Sequence, residues 1–354
     1  MDFQLTEDQT AIQSLAIDFA TDQLAPFSAH WDETKYFPVE VLREAAALGL
    51  AGISVAEDVG GSGLGRLDAS LIFEAFSYGD VATAAFLSIH NMASWMIDRF
   101  GSDDLRRRYL PRLTTMDLIA SYCLTEPGAG SDAASLSTRA RRDGDAYVVN
   151  GGKAFISGAG VSDVYVVMAR TGEAGPRGIS ALIVERDMPG MSFGSNERKM
   201  GWNAQPTAQV NFDNVRVPVA NRIGDEGEGF RIAMSGLDGG RLNIASCSLG
   251  GAQFALDTAK AYLETRQQFG KALKDFQALQ FKLADMATEL EAARLMVRNA
   301  AAALDRKDPE ATKLCAMAKR FATDAGFQVA NDALQLHGGY GYLQDYPLER
   351  VVRD

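Results

Sequence analysis

The chain has 354 residues, room for two or three domains of roughly 150 residues each, and its 47% hydrophobic and 23% charged content excludes a natively disordered polypeptide. With 34 Gly against 10 Pro it carries no collagen-like or low-complexity bias. The 35 Lys and Arg against 46 Asp and Glu leave a net charge of −11, which opposes wrapping a nucleic-acid backbone.

From Thr6 to about Leu118 the periodicity is helical. Thr6-Glu7-Asp8-Gln9 reads as a capping box, Ile12, Leu15, Ala16 and Phe19 recur at helical spacing, and Pro38 sits where a first turn tolerates proline. Val59 to Gly65 reads as a flexible glycine connector, after which Ala69 to Phe100 returns to apolar helix. Residues 1–119 are thus expected to form an α-helical domain.

After Ile119 the pattern changes to short runs that often alternate, such as Val164, Val166, Met168 and Ile179, Ala181, Ile183, separated by glycine turns. Residues 120–222 are expected to form a β domain: with no helices to make crossovers the strands favour an antiparallel sheet or barrel, and the antiparallel barrel is the architecture expected. Helix resumes near Glu228. Leu279, Leu283, Met286, Leu290, Ala293 and Val297 step by four and three, as do Leu314, Ala318, Phe321, Ala325, Val329, Ala333 and Leu336, which predicts long bundle helices over 223–354. The expected class is mainly α with a central β domain.

Cys123, Cys247 and Cys315 form no C-x-x-C pair and His30, His90 and His337 form no H-E-x-x-H, so neither disulfide framework nor metal centre is expected, and a reducing compartment fits. No targeting peptide or membrane-spanning run is read. A bacterial cytoplasm is expected, with a mitochondrial matrix as the alternative.

The densest cluster of unusual residues is Tyr122-Cys123-Leu124-Thr125-Glu126-Pro127-Gly128-Ala129-Gly130-Ser131-Asp132. Its glycines match a relaxed dinucleotide fingerprint, yet strands follow where a helix is needed, so that reading fails on context. The cluster is either a structural loop or a nest of main-chain N–H groups for a polar cofactor edge. Arg266, Gln268, Phe269 and Gln277 surround a break at Gly270, where the arginine is either a solvated charge or a phosphate ligand. Gln335-Leu336-His337-Gly338-Gly339-Tyr340-Gly341 is either a helix stop or a site of close backbone approach.

Together the two clusters, with Arg353-Asp354, resemble the two signatures of the acyl-CoA dehydrogenase family, and the resemblance runs along the whole chain. Ser88 to Met92, Ala154 to Gly160, Gly201 to Asn203 and Arg241 to Gly250 are most similar to its short branched-chain members. The resemblance implies a helical domain, a β domain and a C-terminal four-helix bundle, assembled as a homotetramer with FAD between the last two and across a subunit interface. It implies that Tyr122, Cys123, Leu124, Thr125, Glu126, Pro127, Gly128, Ala129, Gly130, Ser131, Phe155, Ile156 and Ser157 line the flavin ring. Arg266, Gln268, Phe269, Phe276, Gln277, Gln335, Leu336, His337, Gly338 and Gly339 would hold the pyrophosphate and adenosine end, some from a neighbouring subunit. Ser131, Asp238, Gly239, Gly240 and Arg241 would meet the acyl-CoA substrate, and electron-transfer flavoprotein would be the protein partner. Neither nucleic acid nor membrane is an expected partner.

The resemblance also sets a conflict. In most members the base is a Glu shortly after the Arg-Asp pair, which here is Arg353-Asp354; in others it sits on the helix at the place of Gly240. The catalytic Glu is therefore expected beyond Asp354, with the last part of the bundle missing and the chain inactive or nearly so, since general base catalysis contributes about 10²–10⁴ in rate. A silent FAD and acyl-CoA-binding scaffold and a related flavin-dependent acyl-CoA oxidase are the alternatives.

Overall fold

A computed structural model describes residues 4–354. The chain opens with α1 (Glu7–Phe19) behind the capping box read from sequence: the Thr6 hydroxyl accepts the Gln9 N–H at 3.2 Å, and the Gln9 side chain accepts the Thr6 N–H at 3.1 Å. A π-helical turn (Ala20–Leu24), α2 (Ser28–Thr34) and α3 (Val39–Ala47), which starts directly after Pro38, follow. Next come α4 (Arg66–Gly79), α5 (Val81–Phe100) and α6 (Asp103–Leu113). Every residue from Ala69 to Ser77 is buried, because α4 lies in the middle of the molecule with neighbours all round. The glycine connector before it is packed rather than loose: a Cβ on Gly61 would stand 2.1 Å from the Val55 carbonyl oxygen.

The strands are β1 (Ala120–Cys123), β2 (Arg139–Asp143), β3 (Ala146–Ser157), β4 (Val164–Arg170), β5 (Ile179–Glu185), β6 (Met191–Phe193), β7 (Thr207–Pro218) and β8 (Arg222–Ile223). They form one sheet in the order β6-β7-β3-β2-β4-β5-β8, with β1 paired parallel to β4. The expected antiparallel barrel is corrected on two counts: the sheet is open, and it is not purely antiparallel. Its edges are strands of three and two residues that pair on one side only, too short to carry a closing ladder. β4 sends Val164, Val166 and Met168 toward α5 and α6 and Tyr165, Val167 and Ala169 to the opposite face. Burial on both faces makes it read as an unbroken apolar run.

A 37-residue helix, α7 (Gly229–Thr265), leads through a two-stranded ribbon (β9, Gln267–Gln268; β10, Lys271–Ala272) to α8 (Gln277–Asp305), α9 (Ala311–Leu336) and α10 (Leu348–Arg353). The predicted stripes face inward: Met286, Leu290, Ala293 and Val297 of α8 meet Ala318, Val329 and Ala333 of α9 in one core. The expectation of a bundle lacking its last part is not supported. Three long helices and α10 are present, and α4 packs against α7 and α8, where Glu74 pairs with Arg294 at 2.7 Å. α10 is tied back to α2 through Arg353 and Asp32 at 2.6 Å and Arg350 and Ser28 at 2.9 Å. Among the described residues no helix is long and apolar enough to cross a membrane.

Candidate active site

Between the sheet and the start of α7 lies a cleft of about 570 Å³. β1 delivers one wall. Alternation turns Tyr122 toward the cleft and buries Cys123 on the opposite face, so of two adjacent predicted residues only the first can touch a ligand. The chain then enters the turn that holds Leu124, Thr125, Gly130 and Ser131 at the cleft, while Glu126, Pro127, Gly128 and Ala129 do not line it.

Glu126 explains the turn's shape. Its carboxylate is buried, with Oε1 accepting from Lys153 Nζ at 2.7 Å and Thr138 N–H at 2.9 Å, and Oε2 accepting from Ser137 N–H at 2.6 Å and the Ser137 hydroxyl at 2.7 Å. Burial pushes this carboxyl up, but the Lys153 ammonium and the hydrogen bonds outweigh it and hold it down at about 2. The acid is fully engaged in structure.

β3 supplies the other wall. A register shift against β7 between Lys153 and Ile156 marks a bulge, inside which Phe155 has φ 59° and stands 66% exposed. A bulge re-aims side chains, and a left-handed aromatic residue is held there only by its surroundings. Phe155, Ile156 and Ser157 all line the cleft.

The helical side comes from Ile89 of α5 and Phe230, Met234, Leu237 and Arg241 of α7. Except for Arg241, sequence reasoning missed these, although 230, 234, 237 and 241 step by four, three and four and so share one helix face. Asp238, Gly239 and Gly240 do not line the cleft. Asp238 is paired with Arg241 and accepts the Thr312 hydroxyl at 2.7 Å. Gly239 packs on the Arg66 guanidinium, and Gly240 faces Met92 Sδ, 3.0 Å from where a Cβ would be. The carboxylate among the lining residues is Asp132, exposed and bonded to the Ser135 hydroxyl.

Three observations fit the flat ring with polar edges expected from the sequence. The Tyr122 hydroxyl is buried without a partner among the described residues, a costly state that a ligand acceptor would relieve. Gly130, at the cleft, has ordinary φ, and an added Cβ would meet nothing within 4 Å, so no internal contact demands glycine there. The walls combine apolar and aromatic side chains (Ile89, Leu124, Phe155, Ile156, Phe230, Met234, Leu237) with a few polar ones (Thr125, Ser131, Ser157, Arg241), the mixture that a ring with polar edges requires.

A second pocket, of about 480 Å³, lies at the junction of α7, the ribbon and the end of α9. It gathers Arg266, Gln268, Gln335, Leu336, His337, Gly338 and Gly339 as predicted, and adds Tyr262, Lys282 and Tyr340, which were not. Tyr262 stacks on His337 with centroids 4.1 Å apart, and the Arg266 guanidinium lies over Tyr340 at 5.6 Å. His337 Nδ1 donates to the Ala333 carbonyl at 2.9 Å; burial pushes the imidazole's pKa down against that bond. Phe269, Phe276 and Gln277 are outside the lining; Phe269 is 93% exposed at φ 54° and makes an edge contact with Phe276 at 6.1 Å.

Three families match the chain in sequence: acyl-CoA dehydrogenase N-terminal domain over residues 6–117, middle domain over 121–215 and C-terminal domain over 227–354. The isobutyryl-CoA dehydrogenase, mitochondrial, of Dictyostelium discoideum is 60% identical over 99% of this chain and 84% of its own length. The one from Bos taurus is 57% identical over the same shares. In structure, the butyryl-CoA dehydrogenase of Megasphaera elsdenii superposes with a TM-score of 0.96 at 39% identity, covering 100% of this chain and 94% of that one. Against these findings the expectation of an inactive chain has no support.

Proposed function

Because the chain belongs to the acyl-CoA dehydrogenase family, whose members depend on FAD, we propose that it dehydrogenates a short branched acyl-CoA, converting isobutyryl-CoA to methacrylyl-CoA. The observation that carries this reading is identity of 57–60% to two isobutyryl-CoA dehydrogenases over nearly the full chain. When bound, FAD supplies the acceptor for the two electrons that leave with the β-hydride while the α-proton goes to a base.

The chain's own groups do the rest. Tyr122, Leu124, Thr125, Phe155, Ile156 and Ser157 would hold the ring from the sheet side, and Ile89, Phe230, Met234 and Leu237 would keep water from the acyl chain. Arg241, facing the cleft beside Ser131, would meet the polar part of the thioester substrate. The proton-abstracting role is assigned to no lining residue, since Gly240 has no side chain and Asp132 is exposed and engaged by Ser135. Arg266, Gln335, Gly338 and Gly339 would take the adenosine diphosphate end of a cofactor shared between copies of a homotetramer. Electron-transfer flavoprotein is the proposed electron acceptor.

Anaerobic titration of the FAD-loaded protein tests the reading. Isobutyryl-CoA should bleach the visible flavin band at lower concentration than butyryl-CoA or isovaleryl-CoA. Absence of bleaching by any acyl-CoA overturns it, and rapid peroxide formation in air would favour an oxidase over the dehydrogenase.

A further inference from the structure

The pair Lys153–Glu126 has both side chains almost wholly removed from water, 0% and 3% exposed. Such pairs contribute little to stability relative to apolar replacements, because desolvation offsets the attraction, so another use is expected of one this deep. Lys153 does more than meet Glu126: its ammonium also donates to the Leu124 carbonyl at 3.0 Å. In a trans peptide the C=O and N–H lie in one plane and point in opposite directions across the C–N bond. Drawing the Leu124 carbonyl inward to Lys153 therefore turns the Thr125 N–H the other way, on the side where Leu124 and Thr125 line the cleft and Lys153 does not. The next peptide is fixed by the same strand, since Ala154 N–H donates to the Thr125 carbonyl at 2.9 Å.

Resting on the flavin reading above, we infer that Lys153 and Glu126 are positioning residues that aim the Thr125 N–H at the ring's polar edge, where it favours the electron-rich, reduced form. Lys153 sets the peptide's orientation. Glu126 neutralises the ammonium, so that the cleft receives an oriented dipole and not a net positive charge. A fixed donor aimed at developing negative charge needs no reorganisation when that charge arrives.

The reduction potential of the bound flavin, read in Lys153→Met and Glu126→Gln, separates this role from simple packing. Lys153→Met removes the restraint on the Leu124 carbonyl and should lower the preference for reduced over oxidised flavin about tenfold, a shift of about 30 mV to more negative potential for a two-electron couple. Glu126→Gln leaves the ammonium uncompensated and should shift the potential in the opposite direction. Lys153→Arg, which keeps a charged donor, should restore most of the wild-type potential. Shifts of the same sign in the first two variants, or none in either, overturn the inference, because loss of packing cannot produce opposite signs. If Lys153→Met does not fold, Glu126→Gln decides alone: a positive shift upholds the inference and any other result rejects it. Wild-type protein that binds no flavin sinks the functional reading instead, whereas wild-type bleaching with unmoved variant potentials sinks only the inference.

Discussion

The two pockets are built in different ways. The cleft beside the sheet is held by groups far apart in sequence: Lys153 reaches Leu124 and Glu126, Glu126 reaches Ser137 and Thr138, and a bulge re-aims Phe155. The pocket at the end of α9 is made largely of neighbours in sequence, Gln335 to Tyr340, with Tyr262, Arg266 and Gln268 beside them. A site fixed by distant contacts can be precise, and it fails as a unit. A site made by one helix end tolerates loss of single side chains, because little else depends on them.

The largest effect expected lies in the helical bundle whose α7, α8 and α9 carry the second pocket. Glu74→Ala, which removes the ion pair between α4 and α8 and leaves Arg294 with Glu291 and Gln253, should cost up to about 3 kcal/mol in urea unfolding. A loss below about 1 kcal/mol would mean that α4 is not integral to the bundle.

Next comes acid sensitivity on the cleft side. His90 is fully buried under β1, with Nε2 donating to the Leu113 carbonyl at 2.9 Å and Nδ1 accepting the Ala120 N–H at 3.1 Å, and burial pushes its pKa down to about 4. The folded state thus binds its proton less readily than the unfolded chain, whose His titrates near 6.5. Its stabilising contribution is complete above about pH 6.5 and falls away as the pH drops toward 4, by about 3 kcal/mol in all. Urea midpoints at several pH values should show this slope in wild type and less of it in His90→Asn.

Arg266→Ala should weaken flavin retention by roughly tenfold, the loss of one charge-assisted hydrogen bond, while thermal unfolding of the flavin-free protein stays put. An unchanged flavin dissociation constant would leave that pocket without a nucleotide role. The smallest effect is Gly130→Ala. Because φ is ordinary and the added methyl meets no protein atom, stability should move by less than about 0.5 kcal/mol while flavin retention falls. Equal effects on both would show that the glycine serves the chain and not a ligand.

Much of the helical framework was legible because its signals are local. The Thr6 capping box, the start of α3 after Pro38 and the stripes of α8 and α9 depend on residues within a few turns of one another. The open sheet was not legible, since alternation reports which faces are buried and says nothing about whether β6 and β8 meet. Nor was α4's place against the bundle, because a helix buried all round carries no stripe to announce its partners. At the site, the motif around Tyr122 was recognisable as a motif and a structural hydrogen-bonding role for Glu126 could be read within it, but strand alternation separates Tyr122 from Cys123, which the motif does not announce. Lys153 could not be found at all, because a lone lysine in a strand looks like a solvated one until its partners are known.

β3 has a consequence for how such a protein can diversify. Its residues 153 and 154 anchor one side of the cleft and 155–157 form the other, so one inserted or deleted residue there would displace both together. On the proposed reading, adaptation to a different acyl group would be channelled to α5 and α7, where Ile89, Phe230, Met234 and Leu237 can be exchanged one by one without moving residues 153–157.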